Sequence, residues 1–239
     1  MKKKVLIFII TYYSSYKLRE VFNLIPFKKL KNYKIKVLIS DDKSKDDTME
    51  YAIKICNNNK ANVAIKQNFK RLNYGGNIKS CLDYAQKKNY QYAVMLHGDA
   101  QYSPKYIPTL IKKIIDLKCV AVYGSRMKIK KNALKGRMPI YKFIGNIFLT
   151  FIFNKIYFTN FSDCHSGYWV YDLRYINKNI YKNLINSLNF DNQLRIKLVK
   201  NHLKINEIPI KTIYKDENKS FQLIYAFKFL FETIFKRFN

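Results

Sequence analysis

The sequence predicts an α/β fold built on a mostly parallel sheet flanked by helices, and three observations lead there. Apolar runs such as Val5–Ile10, Val37–Ile39 and Tyr92–Leu96 read as strands buried on both faces, the pattern of a parallel sheet. Stretches with helical periodicity separate them, the rhythm of βαβ units. Two of the runs end in carboxylates, at Asp41-Asp42 and at Asp99, and the C-terminal edge of an open parallel sheet is where ligands bind.

The first strand is expected at residues 4–11. Met1-Lys2-Lys3-Lys4 in front of it imitates a secretory start, but the apolar run is too short and Thr11-Tyr12-Tyr13 stands where a small-residue cleavage site belongs. A helix follows near 16–25, a strand at 35–41, and a helix at 46–58 introduced by Asp46-Asp47-Thr48. A third strand is expected at 61–67. Asn73-Tyr74-Gly75-Gly76-Asn77 opens a helical stretch at 75–88. Its glycines offer backbone N–H groups to an anion or a ribose, although a Gly-Gly pair is equally a plain turn. The strand at 91–97 runs into His97-Gly98-Asp99-Ala100-Gln101, where Asp99 and the amide oxygen of Gln101 are hard donors suited to Mg²⁺ or Mn²⁺. A helix at 104–117 and a strand at 119–124 complete the alternation. Beyond Arg126 the rhythm changes. A basic loop at 127–138 leads to a helix-like segment at 139–149, then to Phe161–Trp169, a helix near 190–201 and a strand ending Glu207-Ile208-Pro209-Ile210.

A chain of 239 residues fills one large α/β domain, here residues 1–220, and no repeat or Pro/Gly/Ser linker divides it. Residues 221–239, rich in Phe, Leu, Ile and Lys, read as a C-terminal amphipathic helix. The net charge of +29 attracts polyanions: nucleic acid, anionic lipid or phosphorylated ligands. The four cysteines show neither C-x-x-C nor zinc spacing and fit reduced core residues of a cytoplasmic protein. No segment is long and apolar enough to span a membrane. Residues 139–158 and 221–238 instead interleave aromatic and aliphatic side chains with Lys and Arg at roughly helical spacing, which suits helices lying in an anionic membrane interface.

The ordered motifs resemble the family 2 glycosyltransferases of GT-A (Rossmann-like) fold, and within them the branch around dolichol-phosphate mannosyltransferase. Ile9-Ile10-Thr11-Tyr12-Tyr13 is similar to that family's I-P-T-Y-N, Asp41-Asp42-Lys43-Ser44 to D-D-G-S, and Asn73-Tyr74-Gly75-Gly76 to part of N-x-G-x-G. His97-Gly98-Asp99-Ala100-Gln101-Tyr102-Ser103-Pro104 holds the place of D-x-D-x-Q-x-x-P, and Gly124-Ser125-Arg126 that of G-S-R. Asp163-Cys164-His165-Ser166-Gly167-Tyr168 is similar to D-x-x-S-G-F and Glu207–Ile210 to E-I-P-I. The departures are His97 for the first metal-motif Asp, Ile10 for Pro, Ser14 for Glu, and Lys142 and Trp169 where arginines often stand.

The resemblance implies an inverting, metal-dependent transfer from a nucleotide sugar to a polyprenyl phosphate or lipid-linked glycan, by a protein peripheral on the inner face of the cell membrane. Thr11, Tyr12, Asp41, Asp42, Asn73, Gly76, His97 and Gly98 would bind the nucleotide sugar, Asp99 with Gln101 the metal, and Arg126 the diphosphate. His97 could ligate Mn²⁺ or hydrogen-bond the ribose. Lys142, Asp163 and Ser166 are the expected acceptor contacts. A hydroxyl acceptor needs a general base, for which Asp191 is the first candidate and Asp163 the second, whereas a phosphate acceptor needs little. Two alternatives remain at this point: a catalytically degenerate member, and a basic nucleic-acid-binding protein. Against the latter, the strand-end carboxylates would repel phosphates unless a metal intervened, so no nucleic acid is expected as partner.

Overall fold

The computed structural model describes residues 2–59, 62–214 and 223–238. One seven-stranded sheet organises them, formed by β1 (Lys3–Thr11), β2 (Tyr33–Asp41), β3 (Val63–Gln67), β4 (Tyr92–His97), β5 (Ala121–Ser125), β6 (Trp169–Asp172) and β7 (Ile205–Pro209) in the order β3-β2-β1-β4-β6-β5-β7. Every pairing is parallel except those of β6, which runs antiparallel between β4 and β5. The expected parallel strands are therefore present, and a short reversed strand within Phe161–Asp172 is the addition. Position 61, where the third strand was expected to start, lies outside the described residues.

Strand β1 shows why the runs are apolar throughout. Val5, Ile7 and Ile9 point into one core, and Leu6, Phe8 and Ile10 into the other, because successive side chains of a strand face opposite sides. The first core is covered by α1 (Ser15–Asn23), α2 (Thr48–Asn58) and α4 (Ile107–Asp116), the second by α3 (Asn73–Lys87) and α8 (Phe190–Lys200). The span 127–138, expected as a loop, contains the short helix α5 (Lys130–Lys135), and α3 begins two residues ahead of the expected 75. A four-residue helix, α7 (Lys178–Tyr181), precedes α8.

A third layer consists of α6 (Ile140–Tyr157) and α9 (Leu223–Phe238). Leu149, Phe153 and Tyr157 of α6 pack on Phe229 of α9 and on Ile196 of α8, and Tyr157 Oη donates to the Thr233 carbonyl at 2.9 Å. The outer faces remain open: Ile140, Tyr141, Ile144, Phe148 and Phe151 on α6 are exposed, as are Phe227, Phe231 and Phe235 on α9. The C-terminal helix is thus seated on the domain by one side and bare on the other. Phe221 and Gln222, at the expected start of that segment, lie outside the described residues. Among the described residues no helix is long and apolar enough to cross a membrane.

Candidate active site

The chain runs from β1 outward through β2 to β3 and returns to place β4 on the other side of β1, so the strand order reverses between β1 and β4. At the C-terminal ends of these strands lies a cleft of ≈760 Å³, where a doubly wound sheet forms its ligand crevice.

Ile10, Thr11 and Tyr12 at the end of β1 line it, and Asp42 follows from β2. Asp42 Oδ1 accepts from the Asn68 amide at 3.0 Å and the Leu72 N–H at 2.8 Å, which fixes the carboxylate at the cleft wall. Asp41 sits differently. It is fully buried, takes bonds from Thr11 Oγ1, the Ser44 N–H and Gln67 Nε2, and does not line the cleft. The half-exposed ring of Tyr12 carries the Arg71 guanidinium 4.2 Å from its centroid, a flat cationic platform at the mouth. Asn73 lines the cleft in a left-handed conformation, φ 63°.

The floor is the turn after β4. A Cβ at Gly98 would lie 2.7 Å from Thr11 Cγ2 and 2.9 Å from Ser14 Oγ, so only glycine lets this backbone close on the end of β1. The turn continues through Ala100 at φ 61°, and Asp99 Oδ1 accepts the Gln101 N–H at 2.9 Å, the side-chain-to-backbone bond by which Asp shapes a turn. Asp99 and Gln101 therefore reach the cleft on a fixed frame. They supply one carboxylate and one amide. Among the described residues no group of three or more His, Cys, Asp or Glu side chains is placed to hold a metal ion. This hard oxygen set fits Mg²⁺ or Mn²⁺ as a partial shell, since Mg²⁺ commonly binds through one or two carboxylates with phosphates and water. His97 turns its ring between those of Tyr74 and Tyr102, with Nε2 3.1 Å from the Gly167 carbonyl. Burial holds its pKa low against the opposing charge of Asp99, so the imidazole is neutral.

The far wall comes from the second half of the chain. Arg126 is buried with Asp163: Nε and Nη2 meet the two carboxylate oxygens at 2.8 Å each, while Nη1 donates to Tyr214 Oη at 3.0 Å. Asn146 of α6 and the N–H groups of Arg126 and His165 also donate to Asp163. Burial alone would raise the Asp163 pKa, but the guanidinium and these donors hold it well below the usual carboxylate range. Such a carboxylate is a poor proton acceptor, so Asp163 acts as an anchor and does not fit the expected part of second base. It does not line the cleft, and neither does Ser166, whose buried hydroxyl donates to the Gly124 carbonyl. The acceptor contacts expected at these two positions are thereby replaced by internal bonds. Lys142 does line the cleft, 5.8 Å from the centroid of Tyr214, with its pKa lowered by burial and by Arg126.

Asp191 opens α8 beside the cleft. Its Oδ2 accepts from Tyr74 Oη at 2.6 Å, across 117 residues of sequence. Gly75 makes that contact possible: its N–H donates to the Asn186 carbonyl at 2.7 Å, and a Cβ there would lie 2.5 Å from the Ile185 carbonyl oxygen and 2.7 Å from Phe190 Cβ. The glycine pair thus serves close packing of α3 on the approach to α8. Gly76, expected to bind the nucleotide sugar, is buried in α3 and does not line the cleft. Burial pushes the Asp191 carboxyl up to about 7, partly opposed by the Tyr74 bond and the charge of Arg195. A carboxylate poised near neutrality suits proton transfer.

Sequence reasoning did not single out Tyr74, Arg71, Asn146, Tyr214 or Phe229, all of which line the cleft. Asn146 had a signal, being an amide inside the apolar stretch at 143–149; Tyr214 and Phe229 had none.

Comparison with known proteins adds the lineage. The model of glycosyl transferase family 2 matches residues 6–179, most of the chain. The chain belongs to glycosyl transferase family 2. An uncharacterized protein of Methanocaldococcus jannaschii is 30% identical to this glycosyltransferase over 211 residues, covering 84% of the chain and 80% of the relative. The UDP-N-acetylglucosamine–dolichyl-phosphate N-acetylglucosaminyltransferase of Methanococcus voltae is 33% identical over 150 residues, 59% of this chain and 56% of that one. Among solved structures, glucosyl-3-phosphoglycerate synthase of Mycobacterium tuberculosis with Mn²⁺, UDP-Glc and phosphoglyceric acid aligns at a TM-score of 0.67 and 10% identity, covering 98% of this chain and 79% of that one. A Pyrobaculum calidifontis mannosyltransferase in complex with GDP-Man and Mn²⁺ aligns at 0.62 and 11% identity, covering 92% and 59%. These likenesses establish the GT-A fold of the glycosyltransferase.

Proposed function

We propose that this glycosyltransferase moves a sugar, with inversion, from a nucleoside-diphosphate sugar to a polyprenyl phosphate at the cytosolic face of a membrane. The observation that carries the reading is a single cleft with two chemically distinct ends. At one end Asp42, Tyr12 and Asp99 can receive a nucleoside diphosphate; at the other, Lys142 offers positive charge on α6, a helix whose outer side is apolar.

Donor cleavage places negative charge on the leaving diphosphate and oxocarbenium character on the sugar. Arg126, clamped by Asp163, holds a fixed cation toward the first, with no reorganisation needed as charge develops. Asp99 and Gln101 would hold Mg²⁺ or Mn²⁺, whose chemistry is to neutralise the diphosphate as a Lewis acid. Asn73 and Asp42 would hold the nucleoside half, carboxylates being acceptors for ribose hydroxyls and base N–H groups. Lys142 would steer an anionic acceptor. The dolichyl-phosphate relative supports this acceptor class. A second acceptor, a hydroxyl of a lipid-linked glycan, is favoured by one observation, the near-neutral Asp191 that would serve as its base.

Two further features support membrane attachment. The exposed rows Ile140, Ile144, Phe148, Phe151 on α6 and Phe227, Phe231, Phe235 on α9 belong to helices that pack together, and both helices carry lysines but α6 no acidic residue. Basic residues near an anionic surface each contribute about 1 kcal/mol, in addition to the burial of apolar side chains. Thermal denaturation with a panel of nucleotide sugars and Mn²⁺, followed by transfer to polyprenyl phosphate in anionic vesicles, tests the reading. Stabilisation by a polynucleotide and by no nucleotide sugar would favour nucleic-acid binding instead.

A further inference from the structure

Arg195 is the unusual residue of this fold. It has no exposure, its guanidinium lies 4.9 and 4.8 Å from the ring centroids of Tyr123 and Trp169, and its Nη1 donates to the Cys164 carbonyl. Among the described residues it forms no ion pair, and its Nε and Nη2 have no acceptor. An arginine keeps its charge in such a place, because its proton is held too tightly to be shed. The aromatic faces offset part of the desolvation, and an anion nearby offsets more.

The carboxylate on the same face of α8, one turn earlier, is Asp191, since residues four apart on a helix are neighbours. Asp191 is also buried, and its Oδ1 has no donor while Oδ2 takes the Tyr74 hydroxyl. Around it stand Tyr74 from α3, Tyr171 from β6 and Arg195 from its own helix, with His97 of β4 in contact behind Tyr74. Of these only Arg195 bears a charge, His97 being neutral.

We propose that Arg195 is a positioning residue that, together with the Tyr74 hydroxyl, governs the ionisation of Asp191 at the acceptor end of the cleft. The inference rests on the reading of that end given above, and it extends it. A cation held out of water stabilises the carboxylate across a low-dielectric interior, where a charge acts more strongly than in solvent. Burial acts in the other direction. Near neutrality the balance lets Asp191 present either an acceptor to a hydroxyl or, protonated, a donor to a phosphate oxygen. With Arg195 neutralised by substitution, the Tyr74 bond alone opposes burial and Asp191 keeps its proton to higher pH.

The full chain, labelled with ¹³C-aspartate, tests this through the carboxyl resonance of Asp191, assigned by its loss in Asp191→Asn and followed from pH 4 to 10. Wild type inflects near 7. Tyr74→Phe, which removes the bond as well as its dipole, moves the midpoint up by the larger step, a full pH unit or more and so a tenfold or greater rise in proton affinity; Arg195→Met moves it up by a smaller, resolvable step, and Arg195→Lys, which keeps the charge, restores most of that step. An unmoved midpoint in Arg195→Met overturns the proposal, as does equal displacement in Arg195→Lys and Arg195→Met, which would mark a packing role. If Arg195→Met does not fold, Arg195→Gln takes its place, and an unmoved midpoint or a displacement equal to that of Arg195→Lys overturns the proposal in the same way. Undiminished transfer by Asp191→Asn would remove Asp191 from the reaction yet leave the titration standing, so the two readings fail separately.

Discussion

The two walls of the cleft are built on different plans. On the β1–β4 side, the binding groups come from turns directly following parallel strands, and each is fixed by neighbours close in the sheet: Thr11 to Asp41, Asp42 to Asn68 and Leu72, Asp99 to Gln101. On the far side they come from distant pieces of chain, with Arg126, Asn146, Asp163 and Tyr214 converging from four segments and Tyr74 reaching Asp191. The difference teaches that the strand ends make a floor fixed by local bonds, while the far wall is an assembly whose parts depend on one another.

Substitutions can break that contrast from either side. The largest effect is expected for Asp99→Asn, which removes the floor's single cleft-lining carboxylate on the β4 turn. Transfer should fall about 10²–10³-fold with the fold retained, the scale on which a transition-state charge contact acts. Steady-state kinetics and circular dichroism together check it, and wild-type turnover or full activity in excess EDTA would refute the role. Next comes Asp163→Ala on the far wall, where the loss should be of stability: about 3–5 kcal/mol, because Arg126 would be left buried and unpaired. Denaturant unfolding reads this directly. The same ion pair makes stability acid-sensitive. With the Asp163 pKa lowered in the folded protein, its contribution is complete above the ordinary carboxylate pKa near 4 and is lost as pH falls below that.

The interdependence of the far wall also marks where sequence alone fell short. The inner stretches of β1, β2 and β4 were legible because a segment buried on both faces is apolar at successive positions, and the carboxylates ending β2 and following β4 stood out against that background. Strand β6 was not, since Trp169–Asp172 is four residues long and nothing in it tells an antiparallel insertion from a parallel strand. Helix α5 lies within a Lys-rich span whose bias resembles a solvated loop. Asp163 and Ser166 were recognisable as polar residues of a motif. Whether their oxygens faced the cleft or the backbone depended on Asn146, Arg126 and Gly124, 17 to 42 residues away.

Smaller effects sharpen the comparison. Asp191→Asn should remove a pH dependence of opposite sign: a carboxyl pKa raised in the folded protein favours folding below the ordinary value near 4, and this is lost as pH rises from 4 to about 7. The variant should therefore gain stability relative to wild type at pH 8 and little at pH 4; equal differences at both would contradict the raised value. Within the floor, Asp42→Ala should weaken binding of the free nucleoside diphosphate by about tenfold, the effect of losing one hydrogen bond to a charged group. Asp41→Ala should act chiefly through stability, because its partners are internal. Calorimetry on both separates these outcomes.

The central claim, that one cleft joins a nucleotide-sugar floor to a lipid-phosphate wall, is tested most directly by radiolabelled nucleotide sugars incubated with the protein, Mn²⁺ and anionic vesicles containing polyprenyl phosphate. The account predicts a lipid-linked sugar of inverted anomeric configuration, dependent on Asp99 and Lys142 and abolished by EDTA. Donor hydrolysis to free sugar at the same rate with and without the lipid phosphate, and no labelled lipid, would contradict it.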